Sequence, residues 1–206
     1  MQFSSALLET AVNEFAKLPG IGKKTALRLV LHLLRQEADE VQHFSEVMSR
    51  MRSEIKFCQR CNNVADADIC SICANSLRKQ DVICVVENIR DVIALESTQQ
   101  YNGTYQVLGG VISPLDGVGP SQLKIDNLIL RVQKEATTEV IFALSPTIQG
   151  DTTIYYIQKR LQGSDVRITT ISRGIAFGGE LEYADEMTLA RSLQNRLPVE
   201  NYVSSK

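Results

Sequence analysis

Four of the five cysteines stand as two close pairs, Cys58 with Cys61 and Cys70 with Cys73, each a Cys-x2-Cys, with eight residues between the pairs. Each pair forms a knuckle that offers two thiolates to one ion, and two knuckles complete a tetrahedral four-thiolate shell. With all four positions filled by protein, no place remains for water or substrate. The spacing therefore predicts one structural Zn²⁺ per chain, whose binding energy helps fold a segment too short to build its own core. The plain alternative is a set of buried or redox-active thiols, which does not require paired knuckles. The fifth, Cys84, lies in the string Val82-Ile83-Cys84-Val85-Val86 and reads as ordinary core.

A second chemistry sits at Leu18-Pro19-Gly20-Ile21-Gly22-Lys23-Lys24, with Arg28 one turn beyond Lys24. Gly20 and Gly22 permit a tight turn, and the turn exposes N–H groups at the start of the next helix. Those groups, with the helix dipole, suit a phosphate oxygen. Lys24 and Arg28 are four apart and share a helix face. No acidic residue occurs between Glu14 and Glu37, while Lys17, Lys23, Lys24, Arg28 and Arg35 are basic. Against an ordinary αα-hairpin, the full string and the acid-free window favour phosphate-backbone binding without base readout. The element resembles the helix-hairpin-helix of DNA-repair proteins.

The third candidate is acidic. Glu87 follows the apolar run Val82–Val86, and Ser145-Pro146-Thr147-Ile148-Gln149-Gly150-Asp151 follows the run Val140–Leu144. In parallel sheets, ligands gather at carboxyl ends of strands. The layout resembles the Toprim domain of primases and topoisomerases, whose active members hold a divalent metal with a Glu after the first strand and an Asp-x-Asp pair later. Here the pair reads Gln149-Gly150-Asp151, so a neutral amide replaces one carboxylate. Hard cations want anionic oxygens, which weakens any Mg²⁺ site and the phosphoryl chemistry it would support. Glu87 and Asp151 read either as partner-binding groups or as solvated and capping residues. His32 reads as a helix-face residue; it and His43 both fall in the helical N-terminal region.

These groups need elements to carry them. Residues 1–56 show helical periodicity, with stripes Leu7, Leu8, Ala11, Val12, Phe15 and Leu27, Val30, Leu31, Leu34, then a polar helix over Ala38–Lys56. Residues 57–80 are short, loop-rich and cysteine-bearing. From Asp81 strands and helices alternate: strands at Val82–Val86, Tyr105–Leu108, Val140–Leu144 and Val166–Ile171, and helices at Arg90–Thr98, Gln122–Lys134, Thr153–Leu161 and Asp185–Asn195. Leu123, Leu128, Leu130 and Val132 are the expected core of the second of these helices. Alternation of this kind predicts a mostly parallel α/β sheet. The fold class is α+β in several parts: an N-terminal helix-hairpin-helix region (1–56), a small four-cysteine zinc finger (57–80), a Toprim-like α/β domain (81–177) and a C-terminal segment with a helix and a polar tail (178–206).

Composition sets limits. The 206 residues are 44% hydrophobic and 22% charged with net charge −2, so nucleic acid must be met by a local patch rather than the whole surface. No run approaches a bilayer span, and the start does not read as a secretory signal, so a cytoplasmic, nucleoid-associated protein is expected.

Together with Gly178-Gly179-Glu180-Leu181-Glu182-Tyr183-Ala184-Asp185-Glu186, Arg90-Asp91-Val92, Val107-Leu108-Gly109-Gly110 and Ser113-Pro114-Leu115-Asp116-Gly117, the order of these parts resembles the RecR recombination-mediator family over nearly the whole chain. The resemblance implies no catalysis. It implies work with RecO- and RecF-like partners to load the recombinase RecA onto gapped single-stranded DNA, and a homo-oligomer, dimer or ring tetramer. It implies DNA contact by Lys24 and Arg28, beside the Gly20, Gly22 and Lys23 that the hairpin's own residues mark for phosphate, and partner contact by Glu87, Gln149 and Asp151. Family members commonly carry Glu-Gly-Glu where this chain has Gln149-Gly150-Asp151. The alternative is a Toprim-type metal-dependent nuclease or primase; a zinc-dependent transcription regulator would need base-reading residues, of which the apolar second hairpin helix offers few.

Overall fold

The computed structural model describes residues 3–175, 178–196, 198 and 199, in two compact units, Met1–Ile55 and Lys56–Lys206. In the first unit, α1 (Ala6–Phe15) begins at Ser5, whose hydroxyl accepts the Leu8 N–H at 3.3 Å. Helix α2 (Lys23–Leu33) follows the Pro-Gly turn, in which Gly20 adopts φ +79°. Val12, Ala26 and Val30 are buried where the two helices meet, with Leu8, Ala11, Phe15, Ile21 and Leu27 packed around them. The outer members of the expected stripes, Leu7, Leu31 and Leu34, are exposed, because a two-helix hairpin covers only the line along which its helices touch. Helix α3 (Ala38–Glu54) buries no residue.

In the second unit, β1 (Lys56–Phe57) and β2 (Val64–Ala65) form a small antiparallel ribbon, followed by the one-turn helix α4 (Ser71–Ala74). The main sheet has four strands, β3 (Val82–Val86), β4 (Thr104–Val107), β5 (Glu139–Ala143) and β6 (Arg167–Thr170). All pairings are parallel and the order is β4-β3-β5-β6. Helices α5 (Ile89–Ser97), α6 (Ile125–Lys134) and α7 (Ile148–Arg160) make the crossovers, and α8 (Glu186–Gln194) lies in the C-terminal segment. The central strands bury side chains on both faces, which explains their unbroken apolar runs. Ile83, Val85, Val140 and Phe142 pack with Leu128, Ile129 and Ile157 on one face; Cys84, Val86, Val92 and Tyr105 form the other.

Two expectations are corrected. Leu130 is 48% exposed rather than core: α6 rests on the sheet through Ile125, Leu128, Ile129 and Val132, and Leu130 falls off that stripe. Helix α7 begins at Ile148, five residues before the expected start, because Thr147 caps it by accepting the Gly150 N–H at 3.1 Å. Gln149-Gly150-Asp151 is thus a first helical turn, not a loop.

Candidate zinc, phosphate and partner sites

The four cysteines are buried, and their sulfurs all lie within 4.8 Å of one another. A tetrahedral ion with Zn–S bonds of ~2.3 Å needs sulfurs about 3.8 Å apart, so the set fits one zinc. The knuckles are built by local hydrogen bonds: Asn62 N–H donates to the Cys58 carbonyl at 2.8 Å, Cys70 N–H to Cys58 Sγ at 3.3 Å, and Cys73 N–H to Cys70 Sγ at 3.4 Å. Hydrogen bonding from Cys61, helped by the positive charges of Arg131 and Arg60, draws the Cys73 thiol down, while the same hydrogen bond pushes the Cys61 thiol up and burial pushes Cys70 up. Cys84 stands apart in β3, and burial pushes its thiol up to about 12, as befits inert core.

In the helical unit, Lys23, Lys24 and Arg28 are all exposed. Gly22 caps α2 without a side chain, and the first turn carries no acidic residue, so its N–H groups point outward beside the lysines. Lys24, Leu27, Arg28, Leu31, His32 and Arg35 line a groove of about 400 Å³ along the helix. Among the described residues, no carboxylate lies within 4.0 Å of Lys23, Lys24, Arg28 or Arg35, whereas Lys17 is engaged by Glu14 at 2.6 Å. The face is positive and available for an anion.

At the carboxyl edge of the sheet, β3 leads outward to β4 on one side, and the chain returns to place β5 on the other. The gap between β3 and β5 is the topological switch point, where open α/β sheets bind ligands. Glu87 leaves β3 here and is half-buried; its Oε2 accepts the Ser145 hydroxyl at 3.2 Å. Helix α7 starts close by. A Cβ on Gly150 would stand 2.1 Å from the Ser145 carbonyl oxygen, so only glycine allows this approach. Asp151 is already engaged: Arg173 reaches it at 2.6 Å and Arg191, on α8, at 3.8 Å. The hydrogen bond from Arg173 holds the Asp151 carboxyl below its ordinary range. Among the described residues, the cysteines are the one cluster of three or more metal-capable side chains.

Comparison with known proteins matches each part in turn. The helix-hairpin-helix of RecR matches residues 8–52, the four-cysteine zinc finger domain of RecR matches 55–75, the Toprim domain matches 81–172 and the C-terminal part of RecR matches 174–197. Proteins named Recombination protein RecR are 56% identical in Flavobacterium johnsoniae, over 97% of both chains, and 55% in Amoebophilus asiaticus, over 96% of this chain and 98% of the relative. The chain belongs to the RecR family. The relative from Bacteroides thetaiotaomicron is 56% identical over 95% of both chains. The family's parts are therefore those derived from the residues: a helix-hairpin-helix, a four-cysteine zinc finger, a Toprim domain with a parallel sheet, and a C-terminal helix.

Sequence reasoning missed the arginines. Arg173 and Arg191 occupy Asp151, and nothing in their local strings signals a partner some twenty to forty residues earlier. Arg131, only 6% exposed, was equally hidden in α6; its one local sign is Glu135 four residues on, which it meets at 3.4 Å. Lys23 and Lys24 open α2 and Arg28 follows one turn after Lys24, all three exposed, and Glu87 and the Gln149–Asp151 turn share the carboxyl edge.

Proposed function

We propose that the chain is a DNA-binding scaffold of recombinational repair without catalysis of its own, acting with RecO- and RecF-like partners to load RecA onto gapped single-stranded DNA. The observation that carries the reading is the cationic face of α2, with no carboxylate within 4.0 Å of Lys23, Lys24, Arg28 or Arg35 among the described residues, beside a glycine-capped helix start. Such a face grips sugar-phosphate without reading bases. Gly20 and Gly22 shape the turn, Lys23, Lys24 and Arg28 supply charge, and oligomerisation as a dimer or ring tetramer multiplies weak contacts. Four functional segments (1–56, 57–80, 81–177, 178–206) and a cytoplasmic, nucleoid-associated location complete the reading; no described helix is long and apolar enough to cross a membrane.

Glu87 is the group at the switch point for a basic partner, with Gln149 in the first turn of α7 and Asp151 reduced by its arginines. A Toprim nuclease or primase would need Asp151 free for Mg²⁺, and Arg173 competes for that carboxylate. The test is one Glu87→Ala variant in two assays. Pull-down of a RecO-like partner should weaken while gel-shift affinity for DNA is kept. Mg²⁺-dependent DNA cleavage by the wild type that Glu87→Ala abolishes would overturn the scaffold reading.

A further inference from the structure

An edge strand offers a row of unpaired N–H and C=O groups, a ready template for another strand. β4 is such an edge. In a parallel pair, alternate residues turn their backbone groups outward; here these are Gly103, Tyr105 and Val107. Every outward acceptor among them is satisfied, and none by a strand. The Gly103 carbonyl accepts from Arg78 at 3.0 Å and the Tyr105 carbonyl from Arg131 Nη1 at 2.7 Å. Val107 donates its N–H to the Cys61 carbonyl at 2.8 Å and accepts from Asn62 Nδ2 at 3.2 Å.

Two of these partners belong to the first zinc knuckle. Cys61 is a zinc ligand, and Asn62 follows it with φ +62°, a left-handed conformation that asparagine tolerates better than most side chains. That backbone aims its amide at β4. Arg60, between the two ligands of the knuckle, donates to both oxygens of Glu135 at 3.0 and 2.8 Å, and Arg131 shares the same carboxylate. Arg131 also donates to Gln106 Oε1 and Thr104 Oγ1 on β4. Ile72, in the second knuckle, packs against both the cysteine set and the Cys84, Val86, Tyr105, Val107 core. Four of the five N–H groups on each guanidinium are engaged by protein acceptors, so the groove of about 310 Å³ between knuckle and α6 is a joint rather than an anion pocket.

We infer that the first zinc knuckle is the cap of the Val107 end of the β4 edge, so that metal occupancy decides whether this end of the Toprim sheet edge is closed. Without the ion the Cys58–Asn62 turn loses the constraint that positions its carbonyl and amide, and Val107 is left unpaired while the central strands keep their neighbours. Metal binding and edge closure are then one linked equilibrium.

The test is hydrogen exchange on the full-length zinc-loaded chain, resolved to single amides by NMR, before and after metal removal with a strong chelator. The Val107 amide should exchange at least a hundredfold faster after stripping, with Ile83 and Val85 in β3 within threefold of their holo rates. A protected Val107 in the stripped protein would overturn the inference, as would equal loss of protection in β3. A second variant, Asn62→Gly, keeps all four ligands and permits the left-handed backbone. It should retain one zinc yet speed Val107 exchange about tenfold; an unchanged rate in zinc-loaded Asn62→Gly would remove Asn62 from the cap.

Discussion

Replacing Lys24 and Arg28 together by alanine removes two exposed cations from one face of α2 without touching its packing, since both point away from Val12, Ala26 and Val30. Neither has a carboxylate within 4.0 Å among the described residues, so no internal ion pair offsets the loss. If each neutralises one phosphate, the slope of log K against log salt becomes shallower by ~1.8, from ~0.9 per contact on duplex DNA. Taking the two affinities to converge at about 1 M salt, the same relation gives a loss of roughly 220-fold at about 0.05 M salt, about 30-fold at about 0.15 M and about 18-fold at about 0.2 M. The deficit must therefore shrink as salt rises, by about twelvefold across that range. A titration series by fluorescence anisotropy on two unrelated duplexes, with thermal melting as a folding control, reads both quantities. A folded variant with unchanged slope refutes the assignment of α2 as the phosphate-contacting face. A loss on only one of the two sequences refutes backbone recognition.

The carboxyl edge gives two further expectations. Gly150→Ala forces a Cβ toward the Ser145 carbonyl, 2.1 Å away in the present geometry; overpacking of this kind costs about 1–3 kcal/mol, seen as a lower urea midpoint, and an unmoved midpoint would show that the α7 start relaxes freely. Asp151 has its folded carboxyl pKa depressed by Arg173, so its stabilisation is present above the unfolded value of ~3.9 and is lost as pH falls through the folded one. The stability difference between wild type and Asp151→Asn should thus be full at pH 6 and fade below about pH 4; a difference independent of pH would mean that the arginines do not act through charge.

Features that depend on spacing along the chain are legible before any folding. Cys58, Cys61, Cys70 and Cys73 announce a zinc site because the ligands of a knuckle are neighbours in sequence. The Gly20–Gly22 turn and the basic face of α2 are legible for the same reason, as are the strands, whose double-sided burial leaves unbroken apolar runs such as Val82–Val86. Which distant groups meet is decided only when the elements pack. Asp151 reads as a free acid until Arg173 and Arg191 are folded onto it. Leu130 reads as core until α6 is rotated onto the sheet. The closure of the β4 edge by Cys61, Asn62, Arg78 and Arg131 has no local signature at all. Long side chains and unpaired backbone groups find their partners by satisfying hydrogen bonds wherever burial has brought them together, and periodicity carries no record of that pairing.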